Sequence, residues 1–124
     1  MGWSTTVISP PDGDMRLYME SLQLLISRNE ETYYPTHGGA IENPASFVRS
    51  LISHRKMREK QITTLLKKDA ATIPNLVQDM YKDLDLRLIP AAQRSVFAHV
   101  IDLAERGIIA SDGKLSIDGV YNIL

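Results

Sequence analysis

Apolar residues recur at helical spacing in two stretches of the N-terminal two thirds of the chain. Between residues 15 and 28, and again from 44 to about 68, they return every three or four positions. Asp14 before the first stretch and Asn43-Pro44 before the second are typical of helix N-termini. In the second helix two arginines lie in line with apolar residues, in the stripe Leu51, Arg55, Arg58, Ile62, Leu65 and Leu66. Such arginines usually cover apolar surface with their stems and pair with carboxylates at their tips.

The C-terminal part of the chain predicts three further elements. Thr72 is typical of a cap for a short helix over residues 73–81. Another helix is predicted from about 88 or 90 to Arg106, where Gly107 ends it. Residues 108–111 and 114–117, joined by an Asp112-Gly113 turn, predict a β-hairpin. Helices followed by a hairpin are the element order of a winged-helix domain.

Two short strands are predicted before the long helix. Residues 5–8 and 32–34 are rich in residues that favour β-structure, and Pro35 stops the second strand just before His37.

Charge is unevenly distributed along the 124 residues, whose net charge is −1. Residues 49–68 hold seven basic side chains and one acidic side chain, whereas the segments on either side are acidic. Such a basic helix is either a solvated helix that pairs with its neighbours or a surface that faces phosphate groups.

The absence of cysteine excludes disulfides and thiolate metal sites. No apolar run approaches the roughly 20 residues of a membrane helix, and the N-terminus has no leader pattern. We therefore expect a cytoplasmic protein without a membrane partner.

Several motifs together resemble the metallo-β-lactamase-fold hydrolases that carry a C-terminal winged helix. They are Tyr34-Pro35-Thr36-His37-Gly38, Ile41-Glu42-Asn43-Pro44, His54-Arg55-x-x-Arg58-Glu59-x-Gln61-Ile62, Ala91-Ala92, Ala98-His99-Val100, Leu103 and Gly107. The resemblance implies a mainly α chain with a small β part. Residues 1–43 would be the tail of an αβ/βα catalytic domain, 44–68 a linking helix and 69–124 the winged helix.

The resemblance also implies a zinc site in the intact parent protein, in which His37 matches the last histidine ligand. The His-x-His-x-Asp-His motif that supplies other ligands in this family is absent from the sequence. From the residues alone, a loop histidine bonded to backbone is the alternative, since a catalytic zinc site needs about three protein ligands. We therefore expect a C-terminal fragment that binds no zinc tightly and is inactive alone.

Three residues are candidate substrate contacts by the same resemblance: Trp3, Arg55 and Arg58. The parent would hydrolyse a thioester, an ester or a phosphodiester. For the arginines, structural ion pairs that join two domains are the alternative interpretation.

Nucleic-acid binding is the other function class. The face of the last helix that would point into a groove carries Arg94, Ser95, Ala98, His99, Asp102 and Arg106, which is nearly neutral. Because DNA binding depends on many phosphate contacts, DNA is not expected as a partner. A freestanding winged-helix interaction or RNA-binding module, and a structural remnant without activity, remain as alternatives.

The N-terminal segment is expected to mediate self-association. A helix and a strand separated from their parent sheet would expose apolar surface, which another chain tends to cover. We therefore expect a homo-oligomer with residues from about Val7 to Tyr34 in the contact.

Overall fold

The computed structural model describes residues 13–28 and 44–124 as five helical segments and three short strands. The predicted helices over 15–28, 44–68, 73–81 and about 88–106 are confirmed, and the strands predicted at 5–8 and 32–34 lie outside the described residues. The helical segments are α1 (Met15–Arg28), α2 (Pro44–Lys68), α3 (Ile73–Met80), a 3₁₀ turn (Leu86–Leu88) and α4 (Ile89–Glu105). The strands are β1 (Ala71–Thr72), β2 (Ile109–Ser111) and β3 (Val120–Ile123).

Local capping explains where the helices begin and end. The Asp14 carboxylate accepts a hydrogen bond from the Leu17 amide at 3.0 Å, and the Thr72 hydroxyl accepts one from the Asn75 amide at 3.3 Å. At the end of α4, Gly107 has a φ of 74°, a conformation that glycine adopts without strain. The two bonds that follow, from the Gly107 amide to Ala104 and from the Ile108 amide to Leu103, form a Schellman motif.

The predicted hairpin is correct in its first strand and wrong in its second. The returning strand is β3 at Val120–Ile123, and the predicted strand at 114–117 belongs to the connecting loop. Tyr121 explains the difference, because its ring is fully buried and its hydroxyl both donates to and accepts from the Ser116 backbone. Burial of the Tyr121 ring removes more apolar surface from water than the 114–117 segment does, because Leu115 of that segment is exposed.

The small sheet has the strand order β1-β3-β2, with both pairs antiparallel. Strand β3 lies in the centre and pairs through Tyr121 with Ala71 on one side and Ser111 on the other. The two-residue strand β1, which the sequence pattern did not predict, therefore ties the end of the winged helix to the segment between α2 and α3.

The core has two main parts. The larger lies between α3, α4, the C-terminal end of α2 and the sheet, and the smaller lies between α1 and the start of α2. The members of the larger core with no more than 1% exposure are Ile62, Ile73, Leu76, Val96, Val100, Leu103 and Tyr121. The smaller core consists of Leu22, Val48, Leu51 and Ile52. Complete burial of one such leucine contributes about 1.5–3 kcal/mol, so α1 is held to α2 by apolar packing.

The described structure is mainly helical with a small sheet, in agreement with the predicted fold class. None of the helices in residues 13–28 and 44–124 combines the length and the apolar character needed to cross a membrane.

Candidate functional site

Arg55 lies in the interior at the junction of α1, α2 and α4, with only 3% of its surface exposed. Its Nη1 donates to the Ser95 hydroxyl at 3.1 Å, and its guanidinium carbon lies 5.3 Å from the centre of the Tyr18 ring. Its Nε and Nη2 have no hydrogen-bond acceptor among the described residues. Burial lowers the pKa of Arg55, and the nearby tyrosines partly offset that effect. Arg55 therefore joins three helices without the ion pair that the sequence led us to expect.

The side chain of Arg58 braces α2 against the end of α3. Its Nη1 donates to the Met80 carbonyl at 3.3 Å and to the Gln61 side chain at 3.0 Å. Its guanidinium carbon is 4.0 Å from the centre of the Tyr81 ring, a distance at which cation–π attraction is strong. No carboxylate in the described part of the chain forms an ion pair with Arg58.

His99 is buried beside this arginine pair on α4. It is 2% exposed, and neither ring nitrogen has a hydrogen-bond partner among the residues that the structure describes. Burial, followed by the positive charge of Arg55, lowers the pKa of His99 from 6.5 to about 3. The imidazole is therefore neutral at physiological pH. We call the buried residues Arg55, Ser95, His99 and Asp102, together with half-buried Tyr18, the polar junction.

An ion-pair network borders the polar junction on its solvent side. Arg106 donates to Glu59 of α2 at 3.0 Å and to Asp102 of α4 at 3.1 Å. Partial burial lowers the pKa of Arg106, but the two carboxylates more than offset it and the net direction is upward. The ion pair that links α2 to α4 is thus made by Glu59 and Arg106, not by the arginines singled out from the sequence.

A groove of about 600 Å³ lies beside this network, between α1, α2 and α4. Its lining mixes three cations, three carboxylates, a glutamine and a methionine: Arg16, Met19, Glu20, Gln23, Lys56, Glu59, Asp102 and Arg106. Because the charges balance, the groove carries no strong preference for an anion or a cation.

The sequence-based expectation for the face of α4 that would enter a nucleic-acid groove is wrong. Ser95, Ala98, His99 and Asp102 were expected to point away from the domain, but all four are less than 9% exposed. Met15 of α1 packs on Ala98, and Arg55 of α2 bonds to Ser95. The face that a winged helix would present to nucleic acid is therefore covered by α1 and α2, which no local pattern in α4 reveals.

The described residues do not fit a metal site. No group of three or more His, Asp or Glu side chains in residues 13–28 and 44–124 is arranged to hold a metal ion. Of the two histidines there, His99 lies beside the Arg55 guanidinium, and the pKa of His54 is lowered by burial and by Arg58 and Arg55. The predicted ligand His37 and the predicted substrate contact Trp3 lie outside the described residues.

The sequence contained a signal for only part of the polar junction. Met15, Tyr18, Met19 and Leu22 follow helical spacing, which places Tyr18 on the buried face of α1. Nothing in the spacing indicates that this face covers Arg55, since that contact joins residues far apart in the chain.

Replacement of Arg55 by methionine is expected to raise the free energy of unfolding by about 1–2 kcal/mol. Methionine keeps the apolar stem and removes a buried charge that no described carboxylate compensates. The Ser95→Ala variant is the matched control and should lose about 1–2 kcal/mol, because it deprives the guanidinium of its acceptor. Urea unfolding at neutral pH measures both. A loss of stability in Arg55→Met equal to that in Ser95→Ala would contradict this account.

Comparison with known families finds a match to part of the C-terminal region. Residues 72–118 match the family described as the Beta-lactamase associated winged helix domain. This range contains α3, α4, β2 and the loop that leads to β3.

Two curated relatives extend the likeness beyond the winged helix. A β-lactamase-like protein 2 homolog of Drosophila melanogaster is 30% identical over 97 residues, which is 76% of this chain and 33% of the relative. One from Caenorhabditis elegans is 30% identical over 110 residues, which is 88% of this chain and 36% of the relative. The chain thus spans about a third of the length of the curated relatives that it matches.

Solved structures show the same fold over most of the chain. A β-lactamase domain protein from Burkholderia ambifaria matches with a TM-score of 0.78 and 18% identity, over 89% of this chain and 33% of that one. A metallo-β-lactamase family protein from Thermus thermophilus matches with a TM-score of 0.73 and 20% identity, over the same shares. The chain is therefore similar in sequence to β-lactamase-like protein 2 homologs, shares its fold with part of two β-lactamase-family structures, and matches the winged helix associated with β-lactamases over residues 72–118.

Proposed function

We propose that this chain is the C-terminal part of a metal-dependent hydrolase of the metallo-β-lactamase superfamily. The observation that carries the proposal is the extent of the structural match, which covers 89% of the chain and not only its winged helix. Elements before the winged helix therefore belong to the same architecture. The proposed parent acts on a thioester, an ester or a phosphodiester in the cytoplasm.

The proposed division of labour follows the three segments of the chain. Residues 1–43 complete the catalytic domain, 44–68 link the domains and 69–124 form the winged helix. The packing of α1 on both α2 and α4 supports a winged helix that is fixed to the catalytic part, since Leu22 and Met15 are almost completely buried in these contacts.

The metal of the parent is proposed to be zinc, with His37 as one ligand and the other ligands supplied from outside this sequence. Trp3 would contact the substrate. Among the arginines, the buried position of Arg55 favours a structural role, and half-buried Arg58 is the better candidate for contact with a substrate anion.

Self-association through residues 7–34 is part of the proposal. The described helix α1 buries one face, while Leu17 and Leu24, seven residues apart, are each 55% exposed. Two exposed leucines on one side of the helix support the proposed contact, since another chain could cover them.

The alternative is a freestanding winged-helix interaction or RNA-binding module. The burial of Ser95, Ala98 and His99 under α1 and α2 weighs against binding through α4. For the same reason DNA is not proposed as a partner.

Metal analysis and activity assays on two proteins test the proposed function. The 124-residue chain should bind zinc weakly and show no hydrolysis of simple thioesters, esters or phosphodiesters. A longer protein from the same reading frame, carrying an upstream His-x-His-x-Asp-His motif, should contain zinc and hydrolyse one of these classes. The His37→Ala variant of the longer protein should lose metal and activity together, whereas His54→Ala should retain both.

Two results would overturn the proposal. One is stoichiometric, submicromolar zinc affinity of the 124-residue chain in calorimetry. The other is a longer protein whose zinc content and activity do not change in the His37→Ala variant.

A further inference from the structure

The Arg55 guanidinium is a buried charge whose hydrogen-bonding capacity is largely unused. Arg55 is 3% exposed, and a guanidinium carries several N–H donors in a rigid planar fork. Its Nη1 donates to the Ser95 hydroxyl at 3.1 Å. Its Nε and Nη2 have no acceptor among the residues that the structure describes. These two nitrogens form one side of the fork, with which arginine binds an anion bidentately.

The charge of this guanidinium is not compensated within the described part of the chain. No carboxylate there forms an ion pair with Arg55, and the charged group that acts on it is Arg58, a like charge. Because arginine keeps its proton in proteins, Arg55 cannot avoid the cost of burial by becoming neutral. The cation–π contact with the Tyr18 ring offsets only part of that cost.

A further donor lies beside the guanidinium. The hydroxyl of Tyr18 is buried and has no partner among the described side chains, and the centre of its ring is 5.3 Å from the guanidinium carbon of Arg55. The acidic member of the polar junction, Asp102, pairs with Arg106 and is not within ion-pair distance of Arg55. Unused donors of α1 and α2 around a buried positive charge are the features of an anion-binding site.

Burial limits the size and the charge of the anion. Because Arg55 is only 3% exposed, a carboxylate carried by another macromolecule cannot reach it, and sulfate or phosphate is larger and carries more than the single charge required. Water would satisfy the donors but would leave the charge uncompensated. Asp102 lines both the 600 Å³ groove and a cavity of about 190 Å³ between α1 and α4, so the polar junction borders space that a small ion can enter.

We propose that the polar junction binds a monovalent anion of the size of chloride, held by Nε and Nη2 of Arg55 and by the hydroxyl of Tyr18. The anion is a structural ligand, because its donors come from α1 and α2 and it joins the two helices. Binding to the folded state alone makes the stability of the chain depend on the chloride concentration. This inference is independent of the proposed hydrolase function.

Thermal unfolding of the 124-residue chain at neutral pH tests the proposal by comparing sodium chloride with sodium gluconate at equal ionic strength. Gluconate is too large for the site, so the comparison removes the effect of screening. Chloride at about ten times its dissociation constant should raise the melting temperature by about 3–6 °C, and bromide should do the same. Arg55→Met should abolish this shift, so its predicted advantage in stability over the wild-type chain should shrink as chloride rises.

The matched control is Arg87→Met, which makes the same change at an arginine whose side chain is 89% exposed, and which should keep the full chloride shift. Tyr18→Phe removes the hydroxyl alone and should weaken chloride binding severalfold. A measurement without any substitution locates the ion directly. In crystals of the wild-type chain soaked in sodium bromide, an anomalous peak should lie within about 3.5 Å of Nε and Nη2 of Arg55.

Each alternative result counts against the anion site. Equal melting temperatures in chloride and gluconate, a full chloride shift in Arg55→Met, or a water molecule in place of bromide beside Arg55 would overturn it. Bromide peaks confined to surface cations would show an adventitious ion only. An unchanged chloride affinity of Tyr18→Phe would overturn the part assigned to the hydroxyl. Because these measurements need neither metal nor hydrolysis, their failure is distinct from a failure of the proposed hydrolase function.

Discussion

Lowering the pH from 7 to 4 is expected to reduce the free energy of unfolding by about 3 kcal/mol through His99 alone. The pKa of this histidine is lowered from 6.5 to about 3, first by burial and then by the positive charge of Arg55. One unit of pKa corresponds to about 1.4 kcal/mol, and the pH range named here covers most of the difference between the two values.

The direction of this effect follows from the protons that each state binds. Between about pH 6.5 and 3 the unfolded chain protonates His99 and the folded chain does not. Acid therefore favours the unfolded state, and the contribution of His99 to stability is complete above pH 6.5 and is lost as the pH falls toward 3.

Urea unfolding of the wild-type chain and of His99→Leu at about pH 7, 5.5 and 4 measures the contribution. Leucine fills a similar space, and because the ring nitrogens have no described partners, the substitution should be nearly neutral at pH 7. The His54→Gln variant is the control, since His54 is only half-buried and should account for a smaller share of the acid sensitivity. Parallel pH profiles for wild type and His99→Leu would refute the assignment.

Truncation of Tyr121 is expected to cost about 3–5 kcal/mol, because its fully buried ring fills the centre of the winged-helix core. Tyr121→Phe should cost less, about 1–3 kcal/mol, through loss of the bonds between its hydroxyl and the Ser116 backbone. Burial also raises the pKa of Tyr121, so its hydroxyl stays protonated and can donate at neutral pH.

The neighbouring position supplies the control for Tyr121. Val120 is 37% exposed in the same strand, and Val120→Ala should change stability by less than about 0.5 kcal/mol. Thermal unfolding followed by circular dichroism compares the three variants. If Tyr121→Ala were no less stable than Val120→Ala, the burial of the ring would not be the main determinant of the hairpin.

Helix positions were predictable because their signals are local. Asp14, Thr72 and Gly107 act on residues within one helical turn, and the structure confirms the ends that they mark. The stripe that contains Arg55 was also visible, since apolar neighbours at helical spacing determine which face is buried.

The remaining features depend on contacts between distant parts of the chain. Residues 114–117 and 120–123 are both plausible strands in isolation, and only the fit of Tyr121 into the core selects the second. Similarly, Ala98 is buried by Met15 of α1 and Ser95 contacts Arg55 of α2, and the positions of these two helices cannot be inferred from the sequence of α4. The absence of a carboxylate partner for Arg55 among the described residues was unpredictable for the same reason.

The central position of β3 in the sheet bears on how this domain is made in the cell. Strands β1 and β2 are synthesised first but pair only with β3, whose residues 120–123 leave the ribosome after every other described element. Helices can form during translation, whereas the three-stranded sheet cannot form before β3 is available. A chain that ends before residue 120 would leave the space for Tyr121 between α3 and α4 unfilled, and the apolar surface exposed there is of the kind that chaperones recognise.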